Sequence, residues 1–216
     1  MTSLADLHRR WVDLTSFVEE KTREKWWALI DERYAARAFH GHHHLAHMMR
    51  LFDEHKEVLK DRYAVAFAIF FKNLAYDPVK GVDAEENVAL MKQFASEATL
   101  NQEGYIIQLL EDSANNCTDA HLSKDSYGEM DVHFLIDFDT AWMADPPADY
   151  QRQCEDVRRE SAHLSDEQYR AERLKVLRLF LQVPNIFATK AFRDRYEAAA
   201  RTNIEDEIAR LSTESS

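Results

Sequence analysis

Ala66-Phe67-Ala68-Ile69-Phe70-Phe71-Lys72-Asn73-Leu74-Ala75-Tyr76-Asp77-Pro78 is the most apolar run of the chain, and it carries Lys72-Asn73 where hydrophobic residues should continue. A helix over 61–75 that buries Phe67, Phe70, Phe71 and Leu74 drags Lys72 and Asn73 towards the interior. A buried ammonium needs a partner, because an unpaired charge out of water is costly. The pair therefore marks a site or the remains of one, unless Lys72 snorkels to solvent at the helix end. Tyr76-Asp77-Pro78 ends the helix, since proline disfavours helix in the residue before it.

The rest of the chain reads as helices. Leu4, Leu7, Trp11, Leu14 and Val18 form one stripe on a helix of roughly four turns. Thr22 can cap a second helix bearing Trp26, Trp27, Leu29, Ile30 and Tyr34. Gly41 permits a change of direction into a third helix with Leu45, Met48, Met49, Leu51 and Phe52. Asp83 with Glu86, and Ser165 with Gln168, have the spacing of capping boxes, and Asn101 starts a further helix. Residues 115–129 form the longest loop. Phe134, Leu135, Phe138, Ala141 and Trp142 make another stripe, which Pro146-Pro147 ends. Asp137 and Asp139 lie inside it, roughly 200° apart around the axis, so at least one is expected to be structural. Residues 150–163 read as a charged helix. Pro184 is expected to separate a short helix through Ile186, Phe187 and Phe192 from a last one with Ala198, Ala199, Ile204, Ile208 and Leu211. The expected fold is all-α: one helical bundle with N-terminal helices in 1–36, a core in 37–145 and additional C-terminal helices in 148–212.

Composition agrees. Four Gly and four Pro in 216 residues argue for long helices rather than a turn-rich β fold. A net charge of −12 repels phosphate backbones and argues against nucleic acid as a partner. Cys117 and Cys154 have no metal-ligand spacing and fit free thiols in a reducing compartment. No apolar run is long enough to span a bilayer, and the first residues lack a signal pattern, so a soluble, cytoplasmic protein with no membrane partner is expected. His40, His42, His43, His44 and His47 cluster at the start of the third helix, and if the helix includes them all, His40, His44 and His47 share a face. His43 and His47 form an i, i+4 pair able to chelate a metal, although solvated histidines at a helix start are the commoner case.

In chain order these residues resemble the HD-domain superfamily, in a subfamily of metal-dependent phosphohydrolases. The pieces are Tyr34, Arg37-Ala38-Phe39-His40-Gly41-His42-His43-His44, and Ala68-Ile69-Phe70-Phe71-Lys72-Asn73-Leu74-Ala75-Tyr76-Asp77-Pro78. Glu85, Ile136-Asp137-Phe138-Asp139-Thr140 and Val157-Arg158-Arg159-Glu160-Ser161 follow. Glu172-Arg173, Phe180-Leu181, Ile186-Phe187-Ala188-Thr189 and Glu197-Ala198-Ala199-Ala200-Arg201-Thr202-Asn203-Ile204 complete the series. The resemblance implies an HD-like helical bundle whose divalent metal is held by a His, a His-Asp pair and a distal Asp. It places these ligands at His44, Lys72-Asn73 and Asp139. Charged lysine has no lone pair and cannot be a ligand, and asparagine lacks the negative charge. A further family histidine falls at Asn116, and the family's Asn-Glu stands as Ala84-Glu85.

The expectation is a degenerate member, a pseudoenzyme with no catalytic residue to name. It keeps vestigial positions His44, Lys72, Asn73 and Asp139, with Lys72 paired to Asp139 or Asp137, and a pocket for ligand binding or a scaffold role. Pocket candidates are Arg37, His40, Asp77, Glu85, Asn116, Asp137, Arg158 and Arg173. Arg37, Arg158 and Arg173 suit a small phosphate-containing ligand, or else structural pairs with Asp and Glu, the favoured alternative. No cofactor or metal is expected; any metal would sit on His44 and Asp139. An active phosphohydrolase acting on a nucleotide or other phosphate ester, with Mn, Fe, Ni, Co or Mg on ligands drawn from His40, His43, His47, Asp77 or Asp137, is the alternative. A helical interaction module, with a protein partner or as a homo-oligomer, is the second.

Overall fold

The computed structural model describes residues 3–213 and is all-α. Its first half comprises α1 (Leu4–Leu14), α2 (Glu20–Ala35), α3 (His42–His55), α4 (Arg62–Lys72), α5 (Ala84–Ala98) and α6 (Glu103–Asp112). Two short antiparallel strands, β1 (Tyr76–Asp77) and β2 (Gly81–Val82), join α4 to α5. Then come α7 (Asp119–Leu122), α8 (Asp131–Thr140), a 3-10 turn (Ala141–Ala144), α9 (Pro147–Glu160), α10 (Asp166–Gln182) and α11 (Lys190–Thr213). Among the described residues no helix is long and apolar enough to cross a membrane.

Helix α4 is the axis of the bundle. Every residue from Ala64 to Lys72 is buried, and α1, α3, α5, α6 and α8 pack around it. Its aromatic side chains meet a ring cluster in which Trp11 lies 5.3 Å from both Phe70 and Phe94 and Trp26 lies 5.4 Å from Phe94. The start of α4 is fixed by two carboxylates. The Asp61 side chain accepts from Ala64 N, and buried Asp131 accepts from Lys60 N and Asp61 N at 2.8 and 2.9 Å. These bonds satisfy amides that the helix start leaves without partners.

The structure corrects several sequence expectations. Helix α1 stops at Leu14, where the Thr15 hydroxyl bonds back to Trp11 O, and Val18 packs from the turn beyond it. Helix α2 begins at Glu20, ahead of Thr22. Asp83 caps α5 through Glu86 N, with no return bond from Glu86, so half of that capping box forms. The box at Ser165 and Gln168 is complete. Residues 115–129 include the short α7. The short helix expected after Pro184 is absent, and α11 runs unbroken from Lys190. The reason lies in the partners of the 186–189 backbone. Glu197 accepts from Ile186 N and Phe187 N, while Asp137 accepts from Ala188 N, Thr189 N and the Thr189 hydroxyl. Side-chain carboxylates thus take the place of helical carbonyls.

Asp137 is buried and holds this segment against α8, and burial pushes its carboxyl up to about 7 against three donors. Replacing it by alanine strands three buried donors. Asp137→Ala should lower stability to urea by about 3 kcal/mol or more, whereas Asp77→Ala, on an exposed turn, should change it by under about 1 kcal/mol.

Candidate functional site

The last turn of α4 presents Lys72 and Asn73 to the core because side chains occupy its carbonyls. Tyr34 Oη donates to Phe70 O at 3.1 Å and Asn87 Nδ2 to Lys72 O at 2.7 Å. Arg37 donates to Asn73 O and, at 2.7 Å, to Leu74 O, with its guanidinium stacked over Tyr34 and Tyr76. Asn87 also accepts from Ala75 N. With its carbonyls satisfied, the chain leaves the helix in a single conformation and its two polar side chains keep a fixed direction.

Lys72 is buried, and its ammonium has three partners. Nζ lies 2.8 Å from Ser113 O, 2.8 Å from Asn116 Oδ1 and 3.6 Å from Asp139 Oδ2. The other oxygen of Asp139, Oδ1, receives His44 Nε2 at 2.7 Å and Asn73 Nδ2 at 3.1 Å. His44, the adjacent pair Lys72-Asn73, and Asp139, far apart in sequence, thus meet in one cluster built from α3, the end of α4, and α8. The expected pairing of Lys72 is with Asp139; Asp137 faces the 188–189 segment instead. Asn116 closes over the ammonium from the surface, in a left-handed conformation (φ 49°) that asparagine tolerates.

Electrostatics bind the cluster together. Burial alone would raise the Asp139 carboxyl, but the charge of Lys72 and the bond and charge of His44, with His40 beyond, hold it well below the ordinary carboxylate range. Burial outweighs Asp139 at Lys72 and brings its ammonium below the usual lysine range. Hence Asp139 contributes stability that is present above the ordinary carboxylate pKa and lost as pH falls through its lowered native value.

His40 sits outside α3, so it does not share a helix face with His44 and His47. Its Nδ1 is 2.7 Å from Glu160 Oε2, and its ring lies 4.1 Å from that of Tyr76. Glu160 also accepts from Phe39 N and His40 N, stapling the turn before α3 to α9. His42 pairs with Asp31 at 2.9 Å. His43 and His47 lie together in a separate cleft beside α1, where burial holds His47 neutral down to about 3.

The other expected pocket residues are dispersed. Asp77 accepts from Val79 N and Lys80 N and shares a cleft with Glu85 that the cluster residues do not line. Arg158 is spent on Ser161 O, Leu164 O and Asp166, and Arg173 forms a two-pronged pair with Glu207 at 2.9 Å. These arginines are structural pairs and do not converge on an anion. Glu160, Asn87 and Ser113 are members of the site's frame that sequence reasoning missed. Glu160 stood inside the quoted Arg158-Arg159-Glu160 segment, which was the available signal.

A divalent ion of the kind the resemblance implies does not fit these residues. An ammonium stands in the cluster, Asn73 donates its amide protons to Asp139, and His44 and Asp139 are bonded to each other. Among the described residues no group of three or more His, Cys, Asp or Glu is placed to hold a metal. Comparison with protein-family models, curated proteins and solved structures returned no match. The resemblance therefore rests on the residues quoted above.

Two stability outcomes follow. Lys72→Met should destabilise less than Lys72→Glu, which sets two buried carboxylates together, by about 2 kcal/mol or more in urea titrations. Asp139→Asn should lower stability at pH 7 and flatten its decline below about pH 4, because it removes a group that takes up a proton on unfolding there.

Proposed function

We propose that this chain is a catalytically silent HD-type protein in which the Lys72 ammonium stands where the active relatives hold a metal, and that it acts by binding rather than by hydrolysis. One observation carries the reading: Lys72, at one of the four positions to which the resemblance assigns a ligand, sets its Nζ 3.6 Å from Asp139, at another of them, and bonds it to Ser113 O and Asn116 Oδ1. A monovalent cation fixed to the backbone keeps Asp139 compensated without activating water. Loss of the metal then need not cost the fold, because the carboxylate that the metal would have neutralised still has a cation beside it. Asn73 and His44 keep their places on Asp139 as hydrogen-bond donors. The substitutes that an active enzyme with rearranged ligands would draw on, His40, His43, His47, Asp77 and Asp137, have other partners or lie in other clefts.

Reversal tests the proposal. Lys72→His with Asn73→Asp restores two imidazoles and two carboxylates, counting His44 and Asp139, a set suited to a borderline or hard divalent ion. Each replacement is close in size to the residue it replaces, so the packing cost should be about 1–2 kcal/mol. The double variant should gain affinity for Mn, Co or Ni by orders of magnitude over the natural chain, read by calorimetry and by a metal-dependent rise in Tm. Hydrolysis should lag behind, since the family histidine at Asn116 is still missing. One equivalent of Mn, Fe, Ni, Co or Zn purifying with the untagged natural chain and surviving chelator would overturn the proposal.

A further inference from the structure

A cleft of about 420 Å³ opens between α1, the end of α3 and the start of α4. Helical spacing builds its walls. Arg62, Ala66 and Phe70 recur at four-residue steps along one stripe of α4, and Ala66 is too small to fill the space between its neighbours. Met49 and Phe52, one turn apart on α3, and Leu14 of α1 complete an apolar floor. The volume falls within the range of about 300–1,000 Å³ usual for small-molecule sites.

The polar rim is cationic. Arg10, Lys56 and Arg62 line the cleft against one carboxylate, Asp13. That imbalance is opposite in sign to the net charge of −12 of the whole chain. The carboxylates nearby do not tie these cations up. Asp53 takes Arg10 on Oδ2 and leaves Lys56 a 3.5 Å contact on Oδ1. Among the described residues the one carboxylate within ion-pair reach of Arg62 is Glu57, at 3.6 Å and 79% exposed. Long pairs in water contribute little, so Lys56 and Arg62 can exchange them for an arriving anion at small cost. The exposed ring of Tyr63, which also lines the cleft, carries the Arg62 guanidinium at 5.3 Å.

An apolar floor with cations at its rim suits a molecule that has both parts; a bare anion or a neutral hydrocarbon would use only one of them. We propose that this cleft binds a small amphiphilic carboxylate, its apolar body against Met49, Phe52 and Phe70 and its head group with Lys56 and Arg62 at the rim. None of His44, Lys72, Asn73 and Asp139 lines the cleft, so the site stands independently of the reading of Lys72 as a stand-in for a metal.

Naphthoate, naphthylmethanol and naphthylmethylammonium, all substituted at the same ring position, have nearly one shape and are anionic, neutral and cationic at neutral pH. Titrated into the intact protein at low ionic strength and followed by methyl NMR, naphthoate should shift the Leu14 and Met49 methyl signals saturably. It should bind about fivefold to tenfold more tightly than the alcohol, with the ammonium weakest, and added salt should shrink the preference. Lys56→Gln with Arg62→Gln changes side chains that are 40% and 47% exposed, so the double variant should fold normally. It should bring naphthoate down to the affinity of the alcohol. Equal affinities for the three probes, no saturable shift up to the solubility limit, or a naphthoate preference unchanged in the double variant would each overturn the proposal. So would binding to phosphatidylglycerol vesicles that free naphthoate does not displace, which would assign the face to a lipid surface.

Discussion

A lysine ammonium in the interior of a protein must be compensated on the spot, and the centre of this fold is arranged around that requirement. Lys72 ends a helix that is buried without a break from Ala64 onward, where water cannot serve it. Asp139 supplies the charge; Ser113 O and Asn116 Oδ1 supply the remaining hydrogen bonds. Asp139 in turn needs more than one cation at 3.6 Å, and His44 and Asn73 complete its shell. Removing any one member leaves another unpaired in a medium of low dielectric, and that coupling ties α3, α4, α6 and α8 together.

The surrounding frame makes the geometry repeatable. Four carbonyls at the end of α4, those of Phe70, Lys72, Asn73 and Leu74, are held by Tyr34, Asn87 and Arg37. Glu160 reaches from α9 to fix the turn that starts α3, and so the direction of His44. Arginines and carboxylates that look like ligand-binding groups in a linear reading are consumed in this bracing. The same carboxylate chemistry is used twice along α8: Asp139 faces the ammonium, while Asp137 faces the backbone amides of 188–189.

Much of this was legible in the residues. The apolar run from Ala66 points to a segment buried on all sides, and the interruption at Lys72 calls for a partner unless its side chain snorkels to solvent. That Asp137 and Asp139 part company follows from helix geometry alone. The contacts with Ser113 O and Asn116 were not legible, since a carbonyl acceptor carries no side-chain signature and depends on how α6 ends. Nor was the non-helical 183–189 segment, whose amides are claimed by Glu197 and Asp137 from distant turns. His40 was misplaced on a helix face because a boundary one or two residues away changes every face assignment.

A double-mutant cycle on Lys72 and Asp139 tests the central claim most directly. Stability is measured by urea denaturation for the natural chain, Lys72→Met, Asp139→Asn and the pair together. If the ammonium and the carboxylate form one compensated unit, each single variant should lose about 3–5 kcal/mol. The double variant should lose clearly less than the sum, with a coupling of about 2 kcal/mol or more. Additive losses, within about 0.5 kcal/mol, would show that the two charges are held independently and would contradict the account.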